Sequence, residues 1–265
     1  MPAKGAMTTR LAPPLGSPGQ DPGPTTGAQI RDAGFTYPAR GRRAAPVAAV
    51  ENVSFTVAEH EIVALVGPSG CGKTTLLELV CGLQTASTGS ISAAPAVLMP
   101  QRDLLLPWLD ALDNAALALR IHGAGRDEAR EHAQPLFTAF GLQGFEHSRP
   151  YELSGGMRQR VAFLRTLLSG KPLLCLDEPF GALDAITRAE MRDWLAGALA
   201  GEPRTTLLVT HDVEEAAVLA DRIVVLSPRP ARVQAVLEVP LARPRRVTDP
   251  ALMAIRERAL EALRR

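Results

Sequence analysis

Residues 67–74 carry the side chains that a nucleoside triphosphate requires. They read Gly-Pro-Ser-Gly-Cys-Gly-Lys-Thr. Glycines let consecutive backbone N–H groups point inward at phosphate oxygens, while Lys73 is placed to reach the β- and γ-phosphates and the Thr74 hydroxyl to ligate Mg²⁺. An apolar run at 61–66 precedes the loop, and a helical pattern at 74–83 follows it. Strand, loop and helix together predict a phosphate-binding loop rather than an ordinary glycine turn.

Two carboxylates come directly after another apolar run. Residues 173–176 read Leu-Leu-Cys-Leu and are followed by Asp177 and Glu178. We expect Asp177 to hold the metal and Glu178 to accept a proton from, or orient, an attacking water. An acidic pair after a strand can also cap a helix, but its place downstream of a phosphate loop favours the catalytic interpretation.

Two further polar residues follow apolar runs. His211 comes after the run at 206–209, and Gln101 comes after the run at 97–100. Ligand sites in a parallel sheet lie at the carboxyl ends of its strands. We therefore expect His211 to hydrogen-bond the γ-phosphate and Gln101 to contact Mg²⁺ or the water, although either residue alone is a weak signal.

A second glycine-rich segment opens another helix. Residues 153–160 read Leu-Ser-Gly-Gly-Met-Arg-Gln-Arg. Serine and two glycines at a helix N-terminus form a phosphate site. Because one triphosphate does not need two such cradles from one chain, the sequence predicts that this cradle serves ATP bound to a second copy. The active unit would then be a homodimer with two shared sites.

An aromatic residue upstream is a candidate for the base. Tyr37 lies in the triplet Phe35-Thr36-Tyr37, and an aromatic face can stack on adenine. Phe35 is the alternative stacking residue. A core aromatic on an edge strand is the competing structural interpretation.

The order of elements predicts the fold class. A half-buried strand is expected at 49–57, and buried strands at 61–66, 173–176, 206–209 and 223–226. Residues 97–100 form another apolar run. Strands that alternate with helices indicate a mostly parallel sheet. The region from 104 to about 165 is predicted to be mostly helical, with helices at 111–122 and 127–140 and a kink or break at Pro135.

Composition excludes several classes of protein. The chain has 29 basic and 28 acidic side chains, which gives no electrostatic argument for nucleic acid as a partner. Its three cysteines form no CxxC pair, which argues against a disulfide framework or a zinc site. No apolar stretch approaches the roughly 20 residues of a membrane helix, so action at a membrane would require a partner.

The N-terminal region has a different character. Residues 1–28 are rich in proline and glycine and are predicted to be disordered. They lack the basic start and apolar segment of a secretory signal. Met7 is an alternative start.

These motifs resemble those of the ATP-binding subunit of an ATP-binding cassette (ABC) transporter, over roughly residues 30–230. The matching motifs are Walker A at 67–74, the Q-loop glutamine Gln101, the signature at 153–159, Walker B at 173–178, the D-loop at 181–184 and the switch histidine His211.

The resemblance implies an α/β P-loop NTPase: a RecA-like core with an antiparallel β-subdomain and an α-helical subdomain inserted at about 103–165. The ATPase domain would cover 29–230, with a C-terminal tail and terminal helix at 231–265. In the family, ATP clamps two subunits head to tail, with Ser154 of one facing the γ-phosphate held by the other. Hydrolysis then drives a separate integral membrane permease through the cleft beside Gln101, at the cytoplasmic face of the membrane.

The resemblance also implies site roles. Nucleotide contacts are expected from Tyr37, Gly67, Pro68, Ser69, Gly70, Cys71, Gly72, Lys73, Thr74, Thr75, Ser154, Gly155, Gly156, Gln159 and Asp184. Thr74, Gln101 and Asp177 would hold Mg²⁺. Glu178, Gln101 and His211 would act in hydrolysis.

Two segments resemble one subclass of importers. Residues 104–108 (Leu-Leu-Leu-Pro-Trp) followed by Asn114, and residues 240–246 near the C-terminus, are similar to importers of nitrate, sulfonates, taurine and related small molecules. These work with a periplasmic or lipoprotein solute-binding protein. The alternatives are a non-transport ABC ATPase acting on ribosomes or DNA and a module that holds ATP without hydrolysis. The absence of a second cassette argues against the former, and intact Glu178 and His211 argue against the latter.

Overall fold

The computed structural model describes residues 26–39, 45–181, 183–201 and 203–264. The strands are β1 (Thr26–Tyr37), β2 (Val47–Ala58), β3 (Ile62–Val66), β4 (Thr88–Ala93), β5 (Ala96–Met99), β6 (Leu173–Asp177), β7 (Thr205–Thr210), β8 (Arg222–Leu226) and β9 (Val233–Glu238). The helices are α1 (Lys73–Val80), α2 (Ala111–Ala115), α3 (Leu117–Ile121), α4 (Arg126–Ala139), α5 (Gly155–Leu167), α6 (Ala185–Gly201), α7 (Val213–Leu219) and α8 (Pro250–Leu263).

A six-stranded sheet forms the centre, in the order β5-β6-β7-β3-β8-β9. The first five strands run parallel, and β9 pairs antiparallel with β8. Every residue of β3, β6 and β7 is buried, as expected for parallel strands covered on both faces. The parallel register brings the carboxyl ends of β3, β6 and β7 together, with Val66 opposite Thr210 and Asp177 opposite Val209.

A separate antiparallel sheet has the order β2-β1-β4. In β2, Val53, Phe55 and Val57 are buried while the residues between them are exposed, which confirms the alternation read from the sequence. The buried face packs with α1 and one face of the central sheet in a single apolar cluster. The expected combination of a parallel core and an antiparallel β-subdomain is therefore present.

Four helices, α2 to α5, lie between β5 and β6, as the predicted helical insertion requires. The single helix expected at 111–122 is two helices that meet at Ala116. Of the kink or break expected at Pro135, the break was wrong, because α4 runs through this residue. Pro135 lies on the exposed face, where water can satisfy the carbonyl left without a donor, while Ala133 and Phe137 bury the opposite face.

The boundary expected at residue 230 falls inside the fold. β9 is a strand of the central sheet, and the terminal helix α8 buries Leu252, Ile255 and Ala259 in the main apolar cluster. At the other end, the predicted disordered lead lies outside the described residues up to residue 25. Residues 26–28 instead belong to β1, where Ala28 pairs with Val57 and is buried.

Two of the arginines within residues 240–246, Arg243 and Arg245, cap α7. The Arg245 side chain is 2% exposed and donates hydrogen bonds to the backbone oxygens of five residues. Of these, Ala217 and Val218 belong to the last turn of α7, and Ala220 is its C-cap. Arg243 donates to Leu219 O at 2.6 Å. Terminal carbonyls of a helix lack partners within the helix, and arginine supplies them here. Burial, with Arg243 nearby, lowers the pKa of Arg245 to about 10, so the side chain is still charged near neutrality.

Replacing Arg245 by methionine should lower the free energy of unfolding by about 2–4 kcal/mol, because it leaves buried carbonyls without donors. Urea unfolding at pH 7 measures the loss. Arg246→Met is the matched control, since Arg246 is exposed, and it should change stability by less than about 0.5 kcal/mol. Equal effects of the two substitutions would contradict a capping role for Arg245.

Among the described residues, no helix is both long enough and apolar enough to cross a bilayer.

Candidate active site

The phosphate loop connects β3 to α1. Gly70 and Gly72 have φ of +73° and +126°, and a Cβ on Gly72 would lie 2.4 Å from Ala49 O. Glycine is therefore required at position 72 for both backbone conformation and space. Lys73 is buried, and its ammonium group donates to Gly67 O at 2.7 Å and Pro68 O at 3.0 Å. The ammonium group of Lys73 is thus held against the phosphate loop, whose backbone N–H groups are predicted to face the phosphates.

Thr74 and Asp177 come together from different elements. The Thr74 hydroxyl, at the start of α1, donates to Asp177 Oδ2 at 2.9 Å, at the end of β6. Burial raises the pKa of Asp177, although the Thr74 hydrogen bond and the Lys73 charge act in the opposite direction. Two oxygen ligands of the kind Mg²⁺ prefers therefore lie side by side beneath the loop.

The three predicted catalytic residues converge. Glu178 Oε2 accepts a hydrogen bond from Gln101 Nε2 at 3.1 Å and lies 3.3 Å from His211 Nδ1. These residues follow β5, β6 and β7, whose carboxyl ends meet at one edge of the sheet. Glu178 also has a φ of +44°, a left-handed conformation that costs a non-glycine residue about 1–3 kcal/mol and is concentrated at functional sites.

The two aromatic candidates differ in exposure. Phe35 is buried and contacts Tyr37 edge to face, with ring centroids 4.9 Å apart. Tyr37 is partly exposed, and its hydroxyl lies 3.0 Å from Thr75 Oγ1, next to the phosphate loop. Of the two, Tyr37 has the ring that a base can reach.

The second glycine-rich segment begins α5. Ser154 is exposed and is the N-cap, its Oγ accepting from Met157 N at 3.2 Å, and Gly155 beside it is also exposed. Within the part of the chain that the structure describes, no hydrogen bond or ion pair joins Ser154, Gly155 or Gly156 to residues 67–74. The two cradles are therefore not joined directly within one chain.

Two residues assigned to the nucleotide have other contacts. Gln159 is 5% exposed, on the buried face of α5, so it does not share the surface of Ser154. Asp184 caps α6, because its side chain accepts hydrogen bonds from the backbone N–H groups of Ile186 and Thr187. These hydrogen bonds, chiefly those with Thr187, lower the pKa of Asp184. Ala182 of the D-loop lies outside the described residues.

The sequence did not point to three residues behind His211. Glu215 is buried on α7, where it accepts from the Thr210 hydroxyl and faces Arg188 of α6. In the sequence, Glu215 is one of two adjacent glutamates in the first turn of a helix, which is a common capping pattern. Only the structure shows that its carboxylate points inward.

A glycine loop between a buried strand and a helix, with a strand-end carboxylate against its threonine, defines a P-loop NTPase. Comparison with known proteins agrees and narrows the class. Residues 50–181 match the ABC transporter family. The chain belongs to this family, as the ATP-binding subunit of an importer.

Three relatives share much of the chain. It is 46% identical over 194 residues to the formylaminopyrimidine import ATP-binding protein ThiZ of Halalkalibacterium halodurans, covering 72% of this chain and 78% of ThiZ. It is 44% identical over 230 residues to the aliphatic sulfonates import ATP-binding protein SsuB 1 of Rhodococcus jostii, covering 84% and 90%. The taurine import ATP-binding protein TauB of Burkholderia thailandensis is 42% identical over 210 residues, covering 76% and 81%.

A solved structure shows the same fold. The dimeric post-hydrolysis state of the ATP-binding cassette MJ0796, bound to ADP and Pi, superposes with a TM-score of 0.71 at 26% identity. The match covers 81% of this chain and all of that one. The expected fold class is confirmed.

Proposed function

We propose that this chain hydrolyses ATP as a homodimer and thereby drives import of a small organic solute through a membrane permease. The observation that carries the proposal is the convergence of Gln101, Glu178 and His211 beside Lys73, Thr74 and Asp177. Each side chain supplies one function in phosphoryl transfer to water, and every one of these positions carries the residue type that the reaction requires.

The residues of the site fit magnesium. Thr74 Oγ1 and Asp177 Oδ2 are hard oxygen ligands 2.9 Å apart. Magnesium in nucleotide sites is held by few side chains together with substrate phosphates. When bound, magnesium supplies charge neutralisation on the phosphates. Thr74 and Asp177 would hold it, with Gln101 nearby.

The protein side chains then divide the work. Lys73 binds the outer phosphates by exchanging its loop carbonyls for phosphate oxygens. Glu178 orients the water and accepts its proton at Oε2. Gln101 Nε2 and His211 Nδ1 lie 3.1 and 3.3 Å from that oxygen and fix the orientation of the carboxylate. Tyr37 packs against the base.

The exposed cradle at Ser154 and Gly155 supports a shared site. Helix N-termini bind anions through their free N–H groups and dipole. Among the described residues this helix end makes no hydrogen bond or ion pair with residues 67–74 of the same chain, and the similar cassette MJ0796 is dimeric. We infer that it completes the site of the partner copy.

The relatives indicate the chemistry of the solute. Their names specify formylaminopyrimidine, aliphatic sulfonates and taurine, all small polar molecules. We place this chain's solute in that class, delivered by a solute-binding protein. The permease contact fits the groove lined by Leu106, Trp108 and Ile121, where Trp108 is 68% exposed. The ATPase would then sit at the cytoplasmic face of the membrane.

Purification of the complex in detergent tests this function. The chain should co-purify with a permease, and in nanodiscs its ATP hydrolysis should rise severalfold when solute-binding protein and either taurine, an alkanesulfonate or formylaminopyrimidine are added. Binding protein without solute is the control. Association with ribosomes instead of a permease, or hydrolysis indifferent to all three solutes, would contradict the proposal.

A further inference from the structure

Behind the site, a chain of contacts joins the start of α6 to the histidine. Arg188 donates from Nη2 to Leu183 O at 3.0 Å, and its Nε lies 3.9 Å from Glu215 Oε1. The other oxygen of Glu215 accepts from the Thr210 hydroxyl at 2.5 Å. Thr210 directly precedes His211, so three side chains connect the D-loop to the histidine.

The contacts close into a ring that includes Glu178. Gly181 N donates to Glu178 O at 3.0 Å, and Leu183 N donates to Phe180 O at 3.1 Å, which fixes the turn between Glu178 and α6. At the other end of the chain of contacts, His211 Nδ1 lies 3.3 Å from Glu178 Oε2. The pair formed by His211 and Glu178 therefore belongs to the same set of contacts that join α6 to α7.

The backbone around His211 is held on both sides by this network. Asp212 N donates to Thr210 Oγ1 at 3.0 Å, and Asp212 Oδ1 in turn accepts from Glu214 N and Glu215 N at the start of α7. The His211 side chain itself is half exposed. Its position thus depends on Thr210 and Asp212, and the Thr210 hydroxyl depends on Glu215.

Stability alone does not account for the arrangement. Burial raises the pKa of Glu215, although the Thr210 hydrogen bond acts in the opposite direction. Arg188 Nε is buried without a hydrogen-bond partner among the described residues, which is rare in native proteins. A neighbouring pair at the same interface, Arg192 and Glu214, is in direct contact at 3.0 Å.

We propose that Glu215 and Arg188 are positioning residues that set the geometry of His211 against Glu178, and that they transmit the position of the D-loop to the hydrolytic site. The inference rests on the proposed function. It predicts that Glu215 affects hydrolysis only through His211.

A double-mutant cycle tests this dependence. Glu215→Ala should lower kcat by about tenfold in the otherwise unchanged protein, and by less than about twofold in the His211→Ala background. The dissociation constant for ATP should change less than about threefold, because residues 67–74 are not touched. Equal factors in both backgrounds would overturn the inference.

Two further variants keep the test decisive. Arg188→Met removes the other half of the link and should show the same dependence on His211 if Glu215→Ala does not fold. Glu214→Gln is the control on the same helix, since Glu214 contacts Arg192 and Arg256 rather than Thr210, and it should leave kcat unchanged. Wild-type protein without ATPase activity would refute the proposed function and the inference with it. His211→Ala with the wild-type rate would remove the role of His211 and refute the inference alone. A slow His211→Ala with additive Glu215→Ala refutes the inference alone.

Discussion

Glu178→Gln should lower ATP turnover by about 10²–10⁴-fold, because the amide cannot accept the proton of the attacking water. Glutamine preserves the size of the side chain and leaves an oxygen for the Gln101 contact, which is 3.1 Å in the native protein. ATP should bind with nearly native affinity, since Lys73, Thr74 and Asp177 are unchanged. The ATP-bound dimer should accumulate for the same reason.

Phosphate release under steady-state conditions measures the turnover, and calorimetry with gel filtration measures ATP affinity and dimer formation. Glu190→Gln is the control, because Glu190 is exposed on α6 and should leave the rate unchanged. A Glu178→Gln protein that turns over ATP at the native rate would remove Glu178 from its role and leave the site without a base.

The sequence predicted the site better than the outer parts of the fold. Apolar runs define buried strands, and parallel strands place the residues that follow them at one edge. That rule was enough to bring Gln101, Glu178 and His211 together, and the structure places them within hydrogen-bonding or ion-pair distance. Local pattern and site coincide here because the polar residues directly follow the strands.

Other features depend on contacts between distant segments. Nothing local shows that β9 joins the central sheet or that Arg245 caps α7 from a segment 25 residues downstream of Ala220. The sequence did not show that α4 continues through Pro135, because a sequence pattern does not reveal whether the carbonyl one turn earlier faces water. The choice between Phe35 and Tyr37 likewise required the exposure of each ring, and the inward direction of Glu215 required α6.

The central claim is that each site takes its phosphate loop from one copy and its Ser154 cradle from the other. Two variants each damage one part of the site, either the phosphate loop or the Ser154 cradle. Lys73→Ala removes the buried ammonium from the loop. Gly155→Glu places a carboxylate at the exposed start of α5, where a Cβ meets no atom closer than 3.9 Å and an acidic side chain favours the helix, so the fold is kept while phosphate is repelled.

The decisive measurement is the ATPase rate of mixed dimers. Co-expression with two affinity tags and tandem purification isolate dimers that contain one copy of each variant. Either variant alone should be inactive, since both of its sites are damaged. In the mixed dimer both defects fall in one site and the other site is intact, so activity should return to as much as about half of the native rate. A mixed dimer as inactive as its parents would show that each chain uses its own cradle, and would contradict the shared site.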